Sequence, residues 1–156
     1  MTVHEDVMAN MKVMAEKFAA AGIALELPPQ SNLTLATRYT GIELGTSLTA
    51  EIPYDRKFAN PLGMFQGGFI GAAFDEVFGP LTYMAAQRPS VTIEMSTSYL
   101  RPFVAADEAI ILKAEIVAKT RALLVLKAEA RTKAGKLVAT STSHSLISAD
   151  DHLKKI

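Results

Sequence analysis

The sequence predicts an α+β fold in which one curved antiparallel sheet wraps around a central helix. Three observations carry that prediction. The elements follow one another as helix, two strands, helix, four strands; the last strands are joined by turns that allow only antiparallel neighbours; and the central helix is largely apolar, as a helix enclosed by a sheet must be. At 156 residues with 49% hydrophobic side chains, the chain suffices for one domain, taken as residues 1–156 with a core of about 33–147.

The first element is an amphipathic helix over about residues 3–21, where Val7, Met11, Met14 and Phe18 recur at helical spacing and Gly22 stops it. Leu27 to Asn32 is a proline-containing turn. Leu33–Tyr39 and Glu43–Ile52 are expected as strands, with Gly41 and Gly45 near the corner between them. A loop from Asn60 to Gly68 leads into a helix ending near Ala86, which Gly79-Pro80 should kink because proline lacks a donor and crowds the preceding turn. Val91–Leu100, Ala109–Lys119, Ala122–Thr132 and Leu137–Ile147 are four strands. Lys119-Thr120-Arg121 and Lys133-Ala134-Gly135-Lys136 are their hairpin turns.

Composition narrows the functional classes. Sixteen basic and sixteen acidic residues cancel, so there is no basic field to draw the protein to nucleic acid or an anionic membrane. The sequence contains no cysteine, which removes disulfides, thiolate catalysis and zinc-thiolate sites and fits a cytoplasmic location. The N-terminal residues read as neither a signal peptide nor a membrane span, since His4, Glu5, Asp6, Lys12, Glu16 and Lys17 interrupt the apolar positions. The high apolar fraction hints at a surface covered by a partner subunit.

The chemistry concentrates at residues 60–79. Gly67, Gly68, Gly71 and Gly79 each weaken a helix by about 1 kcal/mol against alanine. Gly67, Gly71 and Gly79 lie with Asp75 at spacings of four and would leave one flank open to close approach by a backbone or flat ligand. Asp75, in a helix expected to be mostly buried, would be suited by desolvation to base catalysis; the plainer alternative makes Asp75 an ordinary partner for a backbone or side-chain donor and Glu76 a solvent-facing neighbour. At the helix start, free amides and the positive end of the dipole can hold an oxyanion, and Gly67 is the expected donor. Eight residues of helix place Gly67 and Asp75 about 12 Å apart along the axis, too far to act on one carbonyl. If both act on the same substrate, one must come from a second copy whose helix runs antiparallel alongside.

The pattern of Asn60, then Gln66-Gly67-Gly68, then Asp75, followed by Thr92-Ile93-Glu94-Met95-Ser96-Thr97-Ser98-Tyr99-Leu100-Arg101-Pro102, resembles the hotdog-fold acyl-CoA thioesterases of the phenylacetic-acid-degradation type. The resemblance covers about residues 33–147. It implies a hotdog domain, a homodimer that often pairs into a homotetramer, and hydrolysis of acyl-CoA without a metal or redox cofactor. Carried over by residue, the catalytic carboxylate is Asp75 from the partner subunit, the oxyanion glycine is Gly67, the polar loop residue is Asn60, and Thr92 helps to hold the water. Gln66 and Gly68 complete the substrate-facing turn. Most members have histidine where this chain has Gln66, which cannot titrate near neutral pH. Arg101, Lys119 and Arg121 are the candidates for coenzyme phosphates.

His144 and His152 have no partner at a ligand spacing, so no metal site is expected. Phe58, Phe65, Phe69, Phe74, Phe78 and Tyr83 are candidates for an acyl pocket or for core. The expected activity is hydrolysis of a medium-chain or aromatic acyl-CoA, with Asp75 as base or nucleophile. A hotdog hydratase would need a histidine in the site loop, and none lies between His4 and His144. A protein that binds acyl-CoA without hydrolysing it is the alternative of a different class.

Overall fold

Thr2 starts the first helix: its hydroxyl accepts from the Glu5 amide at 3.2 Å while the Glu5 carboxylate accepts from the Thr2 amide at 2.6 Å. In the computed structural model, which describes residues 1–149, this capping box opens α1 (Val3–Ala20). Residues 150–156, including His152, lie outside the described residues. Val7, Met11, Met14 and Phe18 form the buried face of α1, and the chain leaves the helix at Gly22, where φ is +84°.

The strand expected over Leu33–Tyr39 is not formed. Gln30–Thr34 is a short helix, α2, with the Thr34 hydroxyl donating to the Gln30 carbonyl at 2.7 Å, and Ala36 turns the chain with a φ of +51°. Extended chain begins only at β1 (Arg38–Glu43), followed by β2 (Ser47–Pro53). The corner is at Gly45, where φ is +68°, whereas Gly41 sits inside β1 beside an irregularity in its register.

The remaining elements fall close to the expected bounds: α3 (Gly67–Ala86), β3 (Ser90–Tyr99), β4 (Ala109–Lys119), β5 (Leu123–Thr132) and β6 (Leu137–Ile147). The strands form one antiparallel sheet in the order β1-β2-β4-β5-β6-β3, with α3 on its inner face and α1 against β1 and α3. This is the hotdog arrangement. Register sets the inner face: Ile52 pairs with Ile110, Ala50 with Leu112, Leu48 with Ala114, and Leu112 with Ala130, all turned to the core. On β6 the inward row shrinks to Ala139, Ser141, Ser143 and Ser145, leaving room for the helix; the Ser141 and Ser143 hydroxyls donate to the Ser96 and Glu94 carbonyls of β3, each at 3.1 Å. The opposite face is polar, with Glu115 between Lys113 and Lys127 at 3.1 and 3.3 Å.

α3 runs as one helix of 20 residues through Gly79-Pro80. Two local features accommodate the proline. Gly79 has no Cβ to crowd the following ring. The Glu76 carbonyl, four residues before Pro80 and so without a helical donor, accepts a hydrogen bond from the Tyr39 hydroxyl at 3.3 Å. Asn32, buried on α2, donates in turn to the Tyr39 oxygen at 3.2 Å.

The Glu76 side chain points into the same region, half-buried, with Ser31 and Asn32 hydrogen-bonding its carboxylate. Burial raises its pKa above the ordinary value of 4.5, and the two hydrogen bonds offset part of that rise. A carboxyl raised on folding binds its proton more tightly in the folded state. Stability is therefore lost as pH rises from the ordinary value through the folded one, and the ionised group is a cost at neutral pH. Glu76→Gln should raise the melting temperature by a few degrees at neutral pH, with the gain fading below pH 4.5, where both side chains are neutral. Melting curves across pH check this; a gain that is constant with pH would contradict it.

Candidate active site

The loop before α3 is organised by Asn60. Its side-chain oxygen accepts from the amides of Leu62 and Met64 at 3.0 and 3.1 Å, which leaves the Nδ2 donor as the group it can offer elsewhere. The loop delivers Gln66 to the N-cap of α3, its amide on the Phe58 carbonyl at 2.9 Å. The Gln66 side chain is exposed and makes no capping bond, and the first turn of α3 contains no acid. The Gln66 carbonyl takes the Phe69 and Ile70 amides, so those of Gly67 and Gly68 are the pair the helix cannot satisfy.

Gly67 lines a cavity of about 370 Å³ together with Asn60, Phe65, Ile70, Tyr99 and Arg101. That volume lies within the range of small-molecule sites. The cavity lining is mostly apolar, with the helix start, Asn60, Tyr99 and Arg101 as its polar members. Tyr99 crosses the helix start, donating to the Gly67 carbonyl at 2.9 Å, and an added Cβ on Gly67 would come within 3.2 Å of its ring. The glycine stripe is therefore partly filled from within the chain, since Tyr99 and Met95 also lie over Gly71. Nothing stands within 4 Å of a Cβ added at Gly68 or Gly79.

The burial expected of Asp75 falls on Glu76 instead. Adjacent residues on a helix point about 100° apart. Here Glu76 turns towards α2 while Asp75 turns outward and is exposed. The Asp75 carboxylate accepts from the Thr92 hydroxyl on β3 at 3.1 Å, and its charge contributes to raising the pKa of half-buried Tyr83, after burial itself. The structure thus brings Asp75 and Thr92 together at one place, and Asn60, Gly67 and Arg101 at the cavity two helical turns away; Gln66 and Gly68 flank Gly67 in the chain and are exposed outside the cavity lining.

Lys119 and Arg121 lie in the β4–β5 turn, beyond the C-terminal end of α3. The Lys119 ammonium donates to the Ala85 carbonyl at 2.7 Å, completing an end already closed by Gln87, whose amide and side chain reach the Tyr83 and Met84 carbonyls, each at 2.9 Å. Among the aromatics, Phe65 lines the cavity and meets Phe58 and Phe69 edge to face, whereas Phe74 and Phe78 are wholly core. Phe103, Leu100 and Met64 also line the cavity and were not singled out in the sequence. Their signal is faint: an apolar residue after Arg101-Pro102, and one inside the glycine loop. His144 meets Glu94 at 2.5 Å on the sheet surface. Among the described residues no group of His, Cys, Asp or Glu is arranged to hold a metal ion, and no helix is long and apolar enough to cross a membrane.

A family model for the thioesterase superfamily matches residues 62–139, half of the chain. No curated protein matches the sequence. Among solved structures, the phenylacetic acid degradation-related protein of Ralstonia eutropha is 26% identical, with 82% of this chain and 96% of that one covered and a TM-score of 0.71. The Escherichia coli PaaI protein from the phenylacetic acid degradation operon shares the fold at 14% identity, with 95% and 97% covered and a TM-score of 0.75. A hypothetical thioesterase protein from Streptococcus pneumoniae, solved with coenzyme A, does so at 16% identity, with 72% and 86% covered and a TM-score of 0.66. With its helix wrapped in the sheet, its glycine turn opening on the cavity and half of its length matched, the chain belongs to the thioesterase superfamily, as a thioester hydrolase on a PaaI-like hotdog fold.

Proposed function

We propose that the protein is a cytoplasmic homodimeric acyl-CoA thioesterase acting on medium-chain or aromatic acyl groups, with Asp75 of one subunit and the Gly67 N–H of the other forming each site. The observation that carries this reading is the placement of the two groups on α3. The Gly67 amide lies at a cavity with no carboxylate in its wall, and Asp75 lies exposed beside Thr92, outside that wall. Each is half of a hydrolytic site.

The sheet edge supports the way the halves would meet. β3 ends the sheet with one side unpaired and carries exposed Val91, Ile93 and Tyr99. β3 runs back along α3, so that Thr92 stands at Asp75 and Tyr99 at Gly67. A two-fold axis near Met95 and Ser96 would pair two β3 strands antiparallel and bring Asp75 of the partner subunit towards the Gly67 turn. The outer sheet face, with Leu146 exposed, is the surface left for pairing dimers into a homotetramer.

In this site the Asn60 Nδ2 group and the Gly67 amide would hold the thioester carbonyl. Either Asp75 takes a proton from a water held by Thr92, and that oxygen attacks the carbonyl carbon, or the carboxylate attacks it directly to give an anhydride that water then opens. In both routes the negative charge of the tetrahedral intermediate falls on the oxygen facing the Gly67 N–H, and collapse expels the coenzyme A thiolate, which takes up a proton. Coenzyme A in the S. pneumoniae neighbour supports the choice of thiol. Arg101 at the cavity is the best-placed cation for its phosphates, with Lys119 and Arg121 reachable only from a neighbouring subunit.

Thiol release from a panel of short, long and aromatic acyl-CoAs should show turnover by the native protein and a loss of about a hundredfold or more in Asp75→Asn. Coenzyme binding without turnover would favour an acyl-CoA-binding protein, for which the non-titrating Gln66 is the supporting feature. Labelled water in a single turnover separates the routes, since only direct attack places the label first in Asp75.

The composite site makes a further demand. Gly67→Pro removes the amide at the first helical position, where the φ of proline suits the helix and the Tyr99 ring must give by a few tenths of an ångström. Mixed with Asp75→Asn, each inactive alone, it should recover about a quarter of native activity after subunit exchange, because half of the dimers then carry one intact site. No recovery from subunits shown to exchange would place both groups in one chain's site.

A further inference from the structure

Pro80 lies in the interior of α3, five residues beyond Asp75, and removes the amide that would have closed the turn at the Glu76 carbonyl. A buried carbonyl without a donor is costly, and a helix relieves it by tilting the peptide plane outward. Here that plane joins Glu76 to Val77, one peptide beyond the one that joins Asp75 to Glu76. A tilt there would change the direction of the turn on which Asp75 stands, and with it the 3.1 Å contact to Thr92.

We propose that Tyr39 is a positioning residue for Asp75, supplying through its hydroxyl the hydrogen bond that Pro80 cannot make and so fixing the Asp75 turn. The inference rests on the catalytic role proposed for Asp75. Tyr39 is placed for this task from three sides. Its phenol donates to the Glu76 carbonyl and accepts from Asn32, so its single proton is committed to α3. Its ring stacks on His4 with centroids 5.5 Å apart, and its own amide donates to the His4 Nδ1 at 3.2 Å. Its backbone is held in β1 opposite Ala50. α1, α2 and β1 thus converge on one carbonyl of α3.

Tyr39→Phe removes only the hydroxyl, whereas Pro80→Ala returns an amide that can reach the Glu76 carbonyl by itself. Well below the melting temperature, Tyr39→Phe should lower kcat for acyl-CoA hydrolysis about tenfold with KM unchanged, because small misplacements of a reacting group are costly. In the Pro80→Ala background the same substitution should cost less than about twofold, the non-additivity expected of coupled positions. Equal losses in the two backgrounds, no loss in either, or a change confined to KM would overturn the proposal. Melting temperatures of the same four proteins give a readout that does not depend on Asp75, and additive shifts there would remove the Tyr39–Glu76 link. Retention of full activity by Asp75→Asn would instead remove the catalytic role on which the proposal rests, whatever the melting cycle shows.

Discussion

The constraint on which the structure depends is that α3 must be enclosed by the sheet and still present polar groups at chosen points. Ile70, Ala73, Phe74, Val77, Phe78 and Leu81 form the buried face of the helix within the core that the sheet encloses. The flank left over is where β3, the sheet's edge strand, lies. The glycine amides, Asp75, Thr92 and Tyr99 are on that flank or at the helix start, with Asn60 and Arg101 beside the latter. The apolar packing sets the rotation of the helix, and the rotation decides which carboxylate is offered outward.

That dependence explains why the burial expected of Asp75 falls on Glu76. Two adjacent acids on a helix cannot share a face, and sequence alone does not say which faces the interior. The rotation set by the apolar packing decides it, leaving Glu76 half-buried on the side of Ser31 and Asn32. The strand expected over Leu33–Tyr39 rests on apolar and β-branched residues, Leu33, Thr34, Leu35, Thr37 and Tyr39. In the fold, Leu33 is exposed at the end of a short helix, Leu35 is buried after it, and only Tyr39 belongs to the sheet. So short a run of such residues does not distinguish a strand from a turn of helix followed by a bend.

Where local signals were long and repeated, the sequence was readable. β4, β5 and β6 alternate over about ten residues each and are joined by turns of few residues, so type, bounds and pairing all follow. α1 was legible from Val7, Met11, Met14 and Phe18, and the glycine turn from Gln66-Gly67-Gly68. The parts that were not legible are contacts between distant segments. Nothing near Tyr39 announces that its hydroxyl meets a carbonyl 37 residues away, nor does Lys119 in its hairpin announce the end of α3.

The contact of Lys119 bears on the far end of the same helix. An α-helix carries about half an elementary charge of opposite sign at its two ends. In α3 the negative end is neutralised: an ammonium sits on the Ala85 carbonyl and Gln87 closes two others. The positive end has no such partner, for Gln66 provides no cap and the first turn no acid. α3 is in effect a dipole earthed at one pole. Its remaining field falls on the cavity, where a neutral carbonyl feels it weakly and the same oxygen, once it carries charge, feels it in full.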